Sequence, residues 1–289
     1  MCIEKEIMKS GTVAILGRPN VGKSSLINAM VGEKVSIVSP RPQTTREQAV
    51  GIVNAERNGG AQIVLTDTPG IFKPRKSGDE LLGKAVRNAA GGADVLVYVL
   101  DGSHTIDERD ENNLGLYARR ELPIVLAINK ADICSYEQVY PIIAHYQGKK
   151  GVTEIIPVSA LKKMNIDKLI DILTGLLPEG EPLYGGDEYT LSSEKFMAEE
   201  IIREKMLFLL SEEVPHGVTV EIREFRKRKG KELYDIGADI TCAKENHKTI
   251  VIGKGGSMLK KIGERARPDI EKLIGMSVNL QLFVKVNKK

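Results

Sequence analysis

The sequence predicts an α/β fold, a doubly wound and mostly parallel sheet over residues 1–178, joined by a linker at 179–190 to a smaller α+β domain over 191–289. Three observations lead there. Apolar, β-branched runs of strand length alternate with helical stretches through the first part, as parallel strands buried on both faces require. The run Pro178-Glu179-Gly180-Glu181-Pro182, followed by Gly185-Gly186-Asp187, has the composition of a linker. After it the order becomes helix, two alternating strands, a glycine turn, helix and strand, which is not a doubly wound pattern.

Taken in order, Thr12–Gly17 reads as a buried strand, followed by a Gly-rich loop and the helix Lys23–Met30. Gln48–Val53 and Gln62–Asp67 read as strands, and Asp94–Asp101, Pro123–Asn129 and Glu154–Ser159 as buried parallel strands. Ile166, Leu169, Ile170, Leu173 and Leu176 recur at three- and four-residue spacing, the apolar stripe of a helix. In the second part Ser193–Leu210 is an amphipathic helix. Val218–Arg226 and Tyr234–Cys242 alternate as hairpin strands joined by the basic turn Arg226-Lys227-Arg228-Lys229-Gly230. Lys248–Ile252 is strand-like and leads into Gly253-Lys254-Gly255-Gly256, a basic helix follows, and Val278–Val286 closes as a strand. Pro268 is expected to kink or break that basic helix, because proline removes a backbone donor and disfavours helical geometry at Arg267.

Composition narrows the class. Aromatic residues are 4% and Trp is absent, so the cores should be aliphatic. Cys2, Cys134 and Cys242 form no C-x-x-C pair and read as free thiols of a reducing compartment. His216 and His247 have no metal-ligand company. Met1–Ser10 carries Glu4 and Glu6 without an apolar segment, unlike a signal peptide, and runs such as Val95–Leu100 are far too short to span a bilayer. A soluble, cytoplasmic protein is expected. Residues 1–190 carry 22 basic against 24 acidic side chains, and residues 191–289 carry 20 against 15, so the basic excess of the second part points to a polyanion partner.

Four segments in fixed order carry the chemistry of the first part. In Gly17-Arg18-Pro19-Asn20-Val21-Gly22-Lys23-Ser24-Ser25, backbone N–H groups and a helix N-terminus form a cradle for phosphate. Lys23 has the length to bridge β- and γ-phosphates, and Ser24 and Asp67 suit Mg²⁺. Asn129-Lys130-Ala131-Asp132 selects the base. The Asp132 carboxylate can accept from guanine N1–H and N2–H₂, donors that adenine lacks, and sites of this kind discriminate by ~10⁴-fold. Asn129 can bond N7, the Lys130 stem can cover the ring, and within Ser159-Ala160-Leu161 the Ala160 N–H is placed for O6. The switch elements are Gln43-Thr44-Thr45 and Asp67-Thr68-Pro69-Gly70-Ile71; Thr45, with Thr44 second, suits Mg²⁺ and the γ-phosphate. Ile71 stands where a GTPase often has a water-positioning Gln, so intrinsic hydrolysis of GTP to GDP should be slow.

In the second part, Ile252-Gly253-Lys254-Gly255-Gly256 opens a helix bearing Lys260, Lys261, Arg265 and Arg267. That is the setting of a KH domain (type II), whose GXXG loop clamps a nucleic-acid backbone. Arg226–Lys229 is a further basic run at a hairpin tip.

A P-loop GTPase domain followed by this motif resembles the bacterial Era GTPase family over nearly the whole chain. The segments carrying the resemblance are Gly17–Leu26, Gln43-Thr44-Thr45-Arg46, Glu213-Val214-Pro215-His216-Gly217 and Ile252–Gly256. The resemblance implies a GTPase acting in assembly of the small (30S) ribosomal subunit, binding single-stranded ribosomal RNA near its 3′ end; a monomer is expected. It also implies peripheral contact with the inner face of the membrane, and use of K⁺ held partly by Asn20. Tails of that family often carry a Trp, which Val286-Asn287-Lys288-Lys289 lacks, so a trimmed tail is expected. Two other readings stay open here: another TRAFAC ribosome or tRNA GTPase, and an RNA-binding adaptor holding GTP as a static cofactor.

Overall fold

The computed structural model describes residues 8–38, 49–55, 60–68, 91–210 and 218–287. The expected switch residues Gln43, Thr44, Thr45, Pro69, Gly70 and Ile71, together with Arg46 and the segment Glu213–Gly217, lie outside the described residues. The chain divides into two compact units, the second running from Ser192 to Lys289.

The elements of the first unit are β1 (Lys9–Gly17), α1 (Lys23–Val31), β2 (Val50–Ala55), β3 (Ala61–Asp67), β4 (Val95–Asp101), α2 (Glu108–Tyr117), β5 (Ile124–Asn129), α3 (Tyr136–Tyr146), β6 (Val152–Pro157) and α4 (Ile166–Leu176). They build one six-stranded sheet in the order β2-β3-β1-β4-β5-β6, parallel except for β2 against β3. Alternation along β4 shows why its residues are apolar without a break. Val95, Val97 and Val99 face one layer, with Leu26 and Ile27 of α1 and Leu169 and Leu173 of α4. Leu96, Tyr98 and Leu100 face the other, with Leu114 of α2 and Ile142 and Tyr146 of α3. The last strand stops at Pro157, two residues before the expected end at Ser159.

Residues 179–190 run along the edge of this sheet. Gln62, fully buried, donates to Tyr184 O and accepts from Tyr184 N, both through its side-chain amide. Ile52 N donates to Tyr189 O, and Thr190 Oγ1 donates to Val50 O. The segment thus covers the backbone groups of β2, which would otherwise be an open sheet edge.

The second unit holds α5 (Glu194–Leu209), β7 (Val218–Lys227), β8 (Leu233–Cys242), α6 (Glu245–Ile252), α7 (Ser257–Ile274) and β9 (Ser277–Val286). Its sheet runs β7-β8-β9, antiparallel then parallel, and buries Ile236, Ala238 and Ile240 against Ala198 and Ile201 of α5, Val251 of α6, and Ile262, Ala266 and Ile270 of α7.

Two expectations are corrected here. Lys248–Ile252 belongs to a helix, not a strand. Parallel β8 and β9 need a crossover, and α6 is its first part. Only Val251 of the helix is buried and Ile250 is 45% exposed, the one-sided burial of a short helix. Pro268 does not break α7, which runs unbroken from Ser257 to Ile274. Pro268 and Glu264 both face solvent, so water can satisfy the Glu264 carbonyl that proline leaves without its helical donor. Among the described residues no helix is long and apolar enough to cross a membrane.

Candidate functional site

In the first unit, every described motif of the site lies at the carboxyl end of a parallel strand, where open α/β sheets bind ligands. After β1 the chain turns through Gly17 (φ 142°), Asn20 (φ 64°) and Gly22 (φ 97°) before entering α1. Glycine is required twice. A Cβ on Gly17 would lie 2.5 Å from Val99 O, and one on Gly22 would lie 2.2 Å from Asn129 Nδ2. Lys23, only 7% exposed, donates to Gly17 O (3.2 Å) and Arg18 O (2.9 Å). Burial pushes its pKa down to about 8, against the opposing pull of Asp67.

At the end of β3 the Asp67 side chain is fully buried. Its Oδ2 accepts from Ser24 Oγ at 2.7 Å and from Ser36 Oγ at 2.6 Å. Thr68 Oγ1 donates to Ile15 O at 2.6 Å. A hydroxyl and a carboxylate in contact, both hard oxygen donors, fit Mg²⁺. Ser36 is a contact the sequence did not reveal. It is held there by Asn28, whose Oδ1 accepts from Val35 N and Ser36 N and whose Nδ2 donates to Ser36 O.

The segment Asn129–Asp132, expected to select the base, follows β5. Asn129 is 3% exposed; its Nδ2 donates to Val21 O (2.9 Å) and its Oδ1 accepts from Ala160 N (3.1 Å). It therefore joins the loop after β1 to the loop after β6. Lys130 (φ 65°) sends its ammonium to Asp101 Oδ2 at 2.5 Å. Burial works against the Asp101 charge, but bonds from Lys130 and Ser103 prevail and hold its carboxyl below the ordinary value. Asp132 lies in a short 3₁₀ turn, half-buried, while Leu161 is 81% exposed beside Ala160. Ser159 Oγ accepts from Lys162 N, shaping the turn that carries Ala160.

Arg18 has partners that spacing did not suggest. Its Nη1 lies 2.7 Å from Asp107 and its Nε 2.9 Å from Asp110, both at the start of α2. Asp107 also caps that helix through Arg109 N, and Asp110 accepts from Tyr98 OH at 2.8 Å. Burial raises the Asp110 carboxyl above its ordinary pKa. An Asp ahead of a charged first turn marks a helix start in the sequence, but the P-loop contact has no local signal.

In the second unit, Gly253 (φ 72°), Gly255 (φ 59°) and Gly256 (φ 79°) form the turn between α6 and α7. A Cβ on Gly253 would sit 2.8 Å from Met258 N, whereas Gly255 and Gly256 face open space and need glycine for their backbone alone. Ile252 is half-buried and Lys254 exposed. Beside the turn lies a groove of about 480 Å³ between α7 and β9, lined by Gly256, Lys260, Gly263, Arg267, Leu280 and Leu282 among others. Lys260, Glu264 and Arg267 share the groove face of α7. Lys261 and Arg265 stand one residue further round the helix and do not line the groove. Among the described residues Lys254, Lys261, Arg265 and Arg267 have no acidic partner.

A family model described as a 50S ribosome-binding GTPase matches residues 12–130, and a KH-domain model matches residues 213–289. The fold and sites thus define a P-loop GTPase joined to a KH-type RNA-binding domain. The chain is 44% identical over 281 residues to GTPase Era of Caldicellulosiruptor saccharolyticus, covering 97% of this chain and 93% of that one. It is 42% identical over 283 residues to GTPase Era of Clostridioides difficile, covering 98% and 94%. Two solved structures superpose with TM-score 0.91 at 39% identity, covering 98% of this chain and 95% of theirs. One is a variant of Aquifex aeolicus Era bound to GDP·AlF4−; the other is Era with MgGDPNP and nucleotides 1506–1542 of 16S ribosomal RNA. The chain belongs to the GTPase Era family, and it is an enzyme that hydrolyses GTP.

Proposed function

We propose that the chain is a GTP-dependent switch that binds small-subunit ribosomal RNA near its 3′ end and acts in assembly of the small ribosomal subunit. The observation that carries the RNA reading is the groove between α7 and β9, open beside the Gly253–Gly256 turn and edged by Lys260 and Arg267. Glycine backbone with positive φ lets a phosphate approach closely, and the cations neutralise it. Leu280 and Leu282 offer an apolar floor for unstacked bases. The basic residues Lys254, Lys261 and Arg265 extend the positive field outside the groove. An Era bound to this kind of RNA, with the same fold across 98% of this chain, supports the assignment.

In the first unit the loop Gly17–Ser24, with Ser25 behind it, receives the phosphates, and Lys23 turns from Gly17 O and Arg18 O toward them. Ser24 and Asp67, with Thr45 from the switch loop, would hold Mg²⁺, which when bound neutralises phosphate charge. Asp132 reads the guanine edge, the Lys130 stem, fixed by Asp101, covers the ring, and Ala160 N–H lies on the O6 side. Asn20, exposed with φ 64°, is the side chain proposed to help hold K⁺. Turnover is slow without it, because Ile71 cannot orient water. The protein acts as a cytoplasmic monomer in this reading, with any membrane contact peripheral.

Titrating a single-stranded fragment of the small-subunit RNA 3′ end against the GTP-analogue-bound protein tests the proposal. Binding should be lost in Lys254→Asp/Gly255→Asp and should fall steeply with salt. RNA affinity unchanged in that double variant would remove the groove as the binding site.

A further inference from the structure

We propose that the cleft between α2 and α3 is a binding site for a small amphipathic carboxylate, an acyl or aryl body with one anionic head, and that its occupancy is linked to nucleotide binding through α2. The cleft has a volume of about 500 Å³, within the range that accepts small organic ligands. Its inner wall is apolar: Leu114, Ala118, Ile124, Val152 and the ring of Tyr146, which is 1% exposed. Gly115 leaves one wall open, since a Cβ there would meet no atom within 4 Å.

The rim has the opposite character. Arg119, Lys149 and Lys150 stand there with one acid, Glu111. That acid is already engaged, by Lys149 at 2.5 Å and His145 at 2.9 Å, while the Lys149 ammonium lies 4.8 Å from the Tyr146 ring centre. Arg119 and Lys150 are exposed and have no acidic partner among the described residues. An apolar floor under two uncompensated cations fits a ligand with an apolar body and an anionic end. A neutral hydrocarbon would leave the cations unused, and a bare inorganic anion would leave the floor unfilled.

The link to the nucleotide site is covalent continuity along one helix. Glu111 follows Asp110, and Asp110 with Asp107 holds Arg18 of the phosphate loop. A ligand that biases α2 at Glu111 therefore biases the loop Gly17–Gly22, and the linkage is reciprocal.

Decanoate, kept below its micelle concentration, is the probe, titrated calorimetrically into the full-length GDP-bound protein with decanol as the neutral control. Saturable one-site binding is expected, weaker by roughly tenfold in Arg119→Ala/Lys150→Ala and for decanol. Gly115→Leu should abolish it, and this variant should fold well, because leucine suits a helix better than glycine and enters open space. Saturating decanoate should shift GDP affinity by about fivefold in the parent protein and not in Gly115→Leu. The site is overturned if decanoate does not bind, if Gly115→Leu binds as the parent does, or if decanol binds equally. An unchanged GDP affinity at saturation overturns the linkage.

Discussion

Replacing Asn129 by Asp tests the claim that this side chain joins two loops of the nucleotide site. The change keeps size and shape. The bond from Ala160 N to the remaining oxygen survives, but the donor to Val21 O, now at 2.9 Å, is lost. An unsatisfied buried carbonyl costs about 1–3 kcal/mol, and a carboxylate 3% exposed beside it adds repulsion and desolvation. The sum is on the order of 3–4 kcal/mol, an upper limit of several hundredfold in GDP affinity if nucleotide must restore the native loops. Fluorescent-GDP titration and thermal melting of the full chain measure the two shares. Asn129→Ala, which introduces no charge but leaves both Val21 O and Ala160 N unpaired, should also lose affinity, without the pH dependence expected of Asn129→Asp. Burial raises a carboxyl pKa, and the protonated acid regains a donor for Val21 O, so Asn129→Asp should recover affinity as pH falls from 8 toward 6. GDP binding within about threefold of the parent across that range would refute the bracing role.

Asp132→Asn should lose GTP and gain affinity for xanthosine nucleotides in a competition assay, because one acceptor of the pair becomes a donor; retained preference for guanine would argue against Asp132 as the reader of the base. Gln62→Ala should lower the melting temperature by several degrees, from about 2–3 kcal/mol of lost bonds to Asn54 and the Tyr184 backbone, and should speed proteolysis within 179–190; an unchanged cleavage rate would mean the strap is not held there. Asp235 is held down to about pKa 2 by Arg228 and Asn279. A carboxyl depressed in the folded state contributes stability above its ordinary pKa near 3.8 and loses it as pH falls toward 2. Asp235→Asn should therefore flatten the loss of melting temperature between pH 4 and pH 2, and parallel profiles for the two proteins would contradict this. Hydrolysis should run faster in K⁺ than in Na⁺ and lose that difference in Asn20→Ala; equal rates in the two salts for the parent protein would dismiss the ion.

The sequence by itself determined the glycine-rich turn between β1 and α1, the place of Asn129–Asp132 after a strand, and the glycine turn of the second unit. Each is a short segment whose residue types act on their own backbone, through glycine at positive φ or a helix start after a strand. It determined the parallel strands for a similar reason, since burial on both faces leaves an unbroken apolar run such as Val95–Leu100. Tertiary structure alone decided which distant groups complete these segments. Asn129 meets Val21 and Ala160, Arg18 meets Asp107 and Asp110, and Ser36 meets Asp67, across separations of 31 residues or more. Periodicity carries no record of such pairings. The same holds for the misread pieces. Ile250-Val251-Ile252 suits a strand or a helix by composition, and the crossover between parallel β8 and β9 chose the helix. Pro268 survives within α7 because it falls on the solvent side, a fact set by which stripe of the helix the sheet buries. Residues 179–190 have the composition of a free linker, yet the open edge of β2 and the buried amide of Gln62 give their backbone partners, and a backbone group finds a partner only where the fold brings one within reach.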